Sequence, residues 1–326
     1  MPVSTDQPEF SDDSIKVVAL AGGVGGAKMV DGLSQVLIPE NLAVVVNTGD
    51  DFEHLGLHIS PDLDTVCYTL AGIANPDTGW GRANETWQTM KAIEEMGGPT
   101  WFRLGDRDLG LHLERTRRMR EGQSLSQVTE FFCQVFGIRS RVLPMTDQLV
   151  PTRVYTVDGE LPFQEYFVHH HCEPKVTGFR FDGIERSKPT KGLLGTIQAA
   201  DLVIICPSNP WVSIDPILSV PGIRPAVEKS VVLAISPIIG GQTIKGPAAK
   251  IYAELGIQPS AQAVAHHYGS LLDGIVLDKV DIGQAENIQK QGIKTCVTDI
   301  LMKTPSDRTR LAKIVKNFGI SLIKRS

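Results

Sequence analysis

Cysteine is scarce in this chain, with five residues scattered among 326 and none at paired metal-binding spacing. An odd, sparse set excludes a disulfide framework and points to a reducing, cytoplasmic compartment. Positive charge is not in excess either: 32 Lys and Arg stand against 37 Asp and Glu, a net charge of -5. No global field draws such a chain to nucleic acid or to an anionic membrane, so any phosphate ligand must be held by local groups. Aromatics make up 6%, and Trp80, Trp87 and Trp101 read as core or pocket walls rather than as a stacking row for nucleic acid. No apolar run reaches membrane-spanning length, and the N-terminus lacks a signal-peptide pattern. Two standard nucleotide signatures are missing as well. After Gly23-Val-Gly25 a dinucleotide fingerprint needs a third glycine where Lys28 stands, and the second strand ends in Asn47 instead of an acid. A Walker loop needs Gly-Lys-Ser/Thr, which Gly26-Ala-Lys-Met29 does not supply.

What is present begins after a polar leader, residues 1–14, that carries Pro2 and Pro8. Lys16-Val-Val-Ala-Leu-Ala-Gly-Gly-Val-Gly-Gly-Ala-Lys28 joins a β-branched apolar run to four glycines, and apolar positions at helical spacing follow. That order reads as buried strand, tight turn and helix N-terminus. Gly22, Gly23, Gly25 and Gly26 would let backbone approach a ligand closely, and the free N–H groups of the helix end, with Lys28, favour an anion such as phosphate. The other reading is a turn that only packs helix on strand. Apolar runs at 42–47, 200–206, 230–235 and 274–278 alternate with helical patterns at 246–256, 260–271, 283–291 and 306–318. All-apolar strands in such alternation predict a Rossmann-like, mostly parallel sheet with helices on both faces. Helical patterns at 84–96, 109–120 and 124–136, then short strands at 141–143, 152–157, 163–168 and 176–181, predict an inserted helical and short-strand subdomain at about 76–195 within one α/β domain spanning 15–326.

Three strand-end turns combine small, polar or proline residues: residues 22–28, 207–210 and 236–241. Side by side in a sheet they would line one crevice, with Ser208, Asn209 and Ser236 suited to a base or ribose and Lys250 a cation one turn into a helix. Each turn alone is also compatible with an ordinary loop. A long loop after the second strand holds Asp50, Asp51, Asp62 and Asp64; carboxylates near a phosphate site suggest Mg²⁺, whereas Asp62 or Asp64 could simply cap the next helix. Arg103 and Gly105-Asp-Arg-Asp108 form a third patch: a polar-ring or anion contact, or a turn whose helix is capped by Asp108. His169, His170 and His171 cannot all face one ion from a strand, and read as an exposed basic strand end.

Asn47-Thr-Gly-Asp-Asp-Phe52, Ser60-Pro-Asp-Leu-Asp-Thr65, Gly105-Asp-Arg-Asp108, Leu143-Pro-Met-Thr-Asp147, Phe163-Gln-Glu-Tyr-Phe167, Pro207-Ser-Asn-Pro210, Ser236-Pro-Ile-Ile-Gly240 and Gly246-Pro-Ala-Ala-Lys250 together resemble the CofD family, the 2-phospho-L-lactate transferases, from about residue 16 to 318. The resemblance implies a magnesium-dependent phosphotransferase of coenzyme F(420) biosynthesis. It would move a 2-phospholactyl or phosphoenolpyruvyl unit from a guanosine-diphospho-activated donor to the side-chain hydroxyl of the deazaflavin Fo, releasing GMP. It further implies that Asp64 and Arg103 touch Fo, that Asp64 with Asp51 serves as metal ligand or hydroxyl-activating group, and that the insertion lies on the acceptor side. The diphosphate would then lie on residues 22–28, the guanosine near Ser208 and Asn209, and Lys250 at the donor; a homodimer is implied too. Residues 169–172 depart from the pattern, where arginine or lysine would be expected. The rival reading is a non-enzymatic nucleotide- or sugar-nucleotide-binding regulator of the related gluconeogenesis-factor type, for which the acceptor-side segments 60–65 and 103–108 have no purpose. A dehydrogenase is disfavoured by Lys28 and Asn47.

Overall fold

A computed structural model describes residues 14–323. The predicted leader lies outside the described residues except for Ser14. In chain order the elements are β1 (Val17–Ala21), α1 (Gly23–Ser34), β2 (Leu42–Val46), the hairpin β3 (Phe52–His54) and β4 (Leu57–Ile59), α2 (Pro61–Leu70), α3 (Gln88–Glu95), α4 (Asp106–Arg120), α5 (Leu125–Val135) and β5 (Arg141–Pro144). Then come β6 (Thr152–Thr156), β7 (Gly159–Pro162), β8 (Val176–Phe181), α6 (Leu193–Gln198), β9 (Leu202–Ile205), α7 (Asp215–Ser219), α8 (Ile223–Val227) and β10 (Val231–Ile235). The chain finishes with β11 (Ile238–Ile239), β12 (Gln242–Thr243), α9 (Ala248–Glu254), α10 (Ala261–Tyr268), β13 (Gly274–Asp278), α11 (Ala285–Gln289), β14 (Lys294–Thr298) and α12 (Pro305–Ile323).

Seven strands form one parallel sheet in the order β14-β13-β10-β9-β1-β2-β5. The connections run outward in one direction from β1 and then in the other from β9, so the topological switch point falls between these two strands. The five inner strands, β13, β10, β9, β1 and β2, are almost wholly apolar because both of their faces are covered. Val18 and Leu20 of β1 pack with α6, α7, α8 and α10, while Val17, Ala19 and Ala21 pack with α1 and α12 on the opposite face. The close seating of α1 on α12 requires Gly32, where a Cβ would lie 2.3 Å from the Arg308 carbonyl oxygen.

The structure corrects several expectations. β5 falls inside the range 76–195 yet is the edge of the main sheet, so the excursion comes in two pieces. A helical one precedes β5, and a three-stranded antiparallel sheet, β7-β6-β8, follows it. Residues 163–168 are not a strand: Glu165–His169 is a π-helical turn, and the strand is β7 just before it. His169, His170 and His171 therefore close a helical turn instead of ending a strand; they are exposed as expected, with His171 itself at φ +50°. β14 was not foreseen, since Lys294-Thr-Cys-Val-Thr298 is a partly exposed edge strand with no apolar run. The five- and six-residue helices α6, α7 and α8 are too short to display a period.

Candidate functional site

At the switch point, the turn after β1 meets the loop after β9. Ser208 Oγ donates to the Gly22 carbonyl (2.8 Å) and accepts from the Gly22 N–H (3.3 Å). The glycines are demanded by this contact. A Cβ at Gly25 would sit 2.3 Å from the Pro207 carbonyl oxygen, one at Gly26 2.9 Å from Ser208 Oγ, and one at Gly22 2.7 Å from Asp62 Oδ2, while Gly23 holds φ at +63°. The Gly23 N–H donates to Asp62 Oδ1 at 2.7 Å, so a carboxylate of the protein already occupies one donor of the α1 N-terminus.

Asn47, at the end of β2, organises the acids. Its Oδ1 accepts from the Gly49 N–H (2.8 Å), and its Nδ2 donates to Asp62 Oδ2 (2.9 Å) and to the Val212 carbonyl (3.1 Å). Asp50, Asp51, Asp62 and Asp64 are all buried. Burial pushes the Asp62 carboxyl up to about 6 against the hydrogen bonds from Asn47 and Gly23. Burial, and then the charge of Asp62, pushes Asp50 well above the usual carboxylate range. Asp51 is also raised by burial, opposed by His58, Ser60 and Arg115. Asp51 Oδ2 accepts from Ser60 Oγ (2.7 Å) and contacts His58 Nε2 (3.1 Å). Asp51 Oδ1 and Asp50 Oδ1 have no hydrogen-bond partner among the described residues, nor do the Thr48 and Thr152 hydroxyls.

Asp64 is differently placed. Both of its oxygens receive Arg115, with Nη1 on Oδ2 at 3.1 Å and Nη2 on Oδ1, and His112 Nδ1 lies 3.7 Å from Oδ2. Neither Asp62 nor Asp64 caps α2 with its side chain: Asp62 turns to α1 and Asp64 to Arg115 on α4. Asp108 does not cap α4 either. Glu85 accepts from the Arg107 and Asp108 N–H groups (2.8 and 2.9 Å), and Asp108 Oδ1 accepts from Tyr68. Asp106 reaches back to the Gln88 and Thr89 N–H groups at the start of α3.

The remaining predicted residues are spread around this centre. Lys28 Nζ donates to the Met302 carbonyl (3.1 Å), and burial, Arg308 and Lys245 all depress its pKa. Lys245 Nζ donates to the Thr78 carbonyl (2.6 Å). Asn209 Oδ1 accepts from the Trp211 N–H, while its Nδ2 is buried without a partner among the described residues. Ser236 Oγ closes its own turn against Ile238. Lys250 is held by Glu254 (2.5 Å) and the Pro174 carbonyl (3.3 Å), tying α9 to the start of β8. Arg103 is exposed, with its guanidinium 5.0 Å from the centre of the Trp87 ring. His169 stacks on Trp101 and on His170. His58, His112 and Arg115 were not singled out from the sequence, and Ser60 entered only as the first residue of the motif at 60–65. Asp108, His112 and Arg115 recur at i, i+4 and i+7 of α4, a polar stripe that could have flagged that face.

A Rossmann-ordered sheet with buried carboxylates gathered at the carboxyl ends of its strands defines the class: a doubly wound α/β protein, the arrangement in which ligands bind at those ends. The model of the family described as 2-phospho-L-lactate transferase CofD matches residues 17–315, and the chain belongs to that family. It is an enzyme of the CofD transferase type. It is 44% identical over 303 residues to a phosphoenolpyruvate transferase of Streptomyces griseus, covering 90% of this chain and 95% of the relative. It is 37% identical over 299 residues to a 2-phospho-L-lactate transferase of Methanosarcina acetivorans, covering 92% and 97%. A crystal structure of a UPF0052 family protein from Bacillus halodurans shares the fold, with a TM-score of 0.60 at 17% identity over 93% of this chain and 99% of that one. Among the described residues no helix is long and apolar enough to cross a membrane.

Proposed function

We propose that this enzyme transfers a phosphoenolpyruvyl or 2-phospholactyl unit from a guanosine-diphospho-activated donor to the side-chain hydroxyl of the deazaflavin Fo. The observation that carries the reading is the pair of buried, unpartnered oxygens, Asp50 Oδ1 and Asp51 Oδ1, at the carboxyl edge of the sheet. A buried carboxylate oxygen with no donor is costly unless a ligand completes it. The alcohol oxygen would attack the phosphorus bearing the three-carbon acid, a phosphodiester would form, and the bond to the GMP phosphate would break. Asp50, held above the usual carboxylate range, is suited to take the alcohol proton.

Magnesium belongs to the same proposal. Among the described residues no group of three or more His, Cys, Asp or Glu is arranged around a common metal position. Mg²⁺ does not require one, because it takes one or two carboxylates and fills its shell with water and phosphate oxygens. Asp51, through its unpartnered Oδ1, fits that role; Asp64, with both oxygens on Arg115, does not fit it in this conformation. When bound, the ion would neutralise charge on the phosphoryl group under attack. Asp64 and Arg103 are assigned to the acceptor side, Asp64 with its charge already met by Arg115. Lys28, crowded by Arg308 and Lys245, gains from a phosphate that relieves this repulsion. The guanosine is proposed to lie by Ser208 and Asn209. A cytoplasmic homodimer is part of the proposal, to be checked by light scattering. The test incubates the protein with Fo, Mg²⁺ and each activated acid in turn and reads product mass. The phosphoenolpyruvyl donor is expected to give the dehydro form of coenzyme F(420)-0, and no mass gain on Fo with either donor would overturn the reading.

A further inference from the structure

We infer that His58, together with Ser60, is a positioning residue that aims Asp51 Oδ1 into the crevice; this rests on the role proposed above for Asp51. Asp51 is 3% exposed, and its Oδ2 alone carries the contacts from Ser60 Oγ (2.7 Å) and His58 Nε2 (3.1 Å). His58 Nε2 and Ser60 Oγ are themselves 3.1 Å apart, so the three polar atoms close a triangle. Two contacts on one oxygen position hold the plane of the carboxylate, and because its oxygens are equivalent a half-turn about Cβ–Cγ only restores the same arrangement. The other oxygen, Oδ1, is thereby fixed in direction, and it is the one with no partner among the described residues.

His58 is tied to α4 through its own backbone. Its N–H donates to Thr116 Oγ1 (2.8 Å) and its carbonyl accepts from Arg115 Nη1 (3.4 Å), both on α4. Arg115 also holds Asp64. One residue of the β3–β4 hairpin therefore touches both halves of the acid wall: Asp51 through its ring, and the arginine of Asp64 through its carbonyl. The His58 side chain is 20% exposed, so its removal opens no deep core cavity. Such outer contacts commonly set ligand geometry as firmly as the ligating groups themselves.

The experiment compares wild type, His58→Ala, His58→Gln, Ser60→Ala and Asp51→Asn. Mn²⁺ binding is followed by electron paramagnetic resonance, with kcat and the KM for Fo measured alongside. His58→Ala is expected to weaken Mn²⁺ binding and to lower kcat by about 10–100-fold, with the KM for Fo unchanged. His58→Gln, which keeps a side-chain N–H for Oδ2, is expected to recover most of both. Wild-type Mn²⁺ affinity and kcat in His58→Ala, alongside an inactive Asp51→Asn, would overturn the positioning role alone. Full activity in Asp51→Asn would instead overturn the role of Asp51 itself. Should circular dichroism show that His58→Ala does not fold, Ser60→Ala removes the second contact on the same oxygen, and an unchanged Mn²⁺ affinity there overturns the inference.

Discussion

Removing the Arg115 guanidinium leaves a carboxylate stranded inside the protein. Arg115 is 3% exposed and Asp64 6%, and the arginine donates to both Asp64 oxygens. In Arg115→Met the apolar stem is largely kept, but Asp64 loses its counter-charge and keeps His112 Nδ1 at 3.7 Å. Breaking a buried pair in this way costs about 3–5 kcal/mol. With an unfolding entropy of roughly 2.1 cal/mol/K per residue, a chain of 326 residues loses about 1.5 °C of Tm per kcal/mol. Arg115→Met should therefore melt about 4–7 °C below wild type in scanning calorimetry at pH 7. Adding Asp64→Leu removes the stranded charge and should restore most of the loss, so the double-mutant cycle should show strong coupling between the two positions. A single variant melting within about 1.5 °C of wild type, or a double variant as unstable as the single one, would refute this account of the pair.

Three further predictions follow from the same geometry. Gly25→Ala places a Cβ 2.3 Å from a backbone carbonyl and should strongly destabilise the fold, whereas Gly110→Ala on the open side of α4, with nothing within 4 Å, should raise stability by about 0.4–1 kcal/mol in denaturant melts. Asp62, raised to about 6 from 3.8, holds a proton in the folded state that the unfolded chain has released, so its stabilising contribution is full below about pH 4 and is lost as pH rises through 6. The Tm of Asp62→Asn relative to wild type, in chelator-containing buffer, should accordingly climb between pH 4 and 7, and a constant difference would contradict the burial effect. Lys28→Ala should weaken GDP binding in isothermal titration calorimetry, and an unchanged affinity would place the phosphates elsewhere.

Legibility in the sequence followed burial. β1, β2, β9, β10 and β13 are covered on both faces, so each appears as an unbroken apolar run, and their alternation with helices identifies the sheet. The glycine turn was equally visible, but its two readings could be weighed only once Pro207, Ser208 and Asp62 were seen pressed against it. The β3–β4 hairpin was hidden because Leu55, at φ +53°, occupies a turn position that glycine or asparagine normally marks. With that hairpin unread, the short reach from His58 back to Asp51 was unread too. The Asp64–Arg115 pair spans 51 residues, and no local spacing announces it. In this structure Asp64 is a paired charge, a contact no reading of the acidic loop alone could supply.

A crystal structure of the protein with Fo, GDP and Mg²⁺ gives the most direct measurement: the separation between the Fo side-chain hydroxyl and the terminal phosphate of the nucleotide. The hydroxyl is expected within reaction distance of that phosphate, with Mg²⁺ between the phosphate and the Asp50–Asp51 turn. Fo and GDP in separate pockets, with the carboxylates facing neither, would contradict the account.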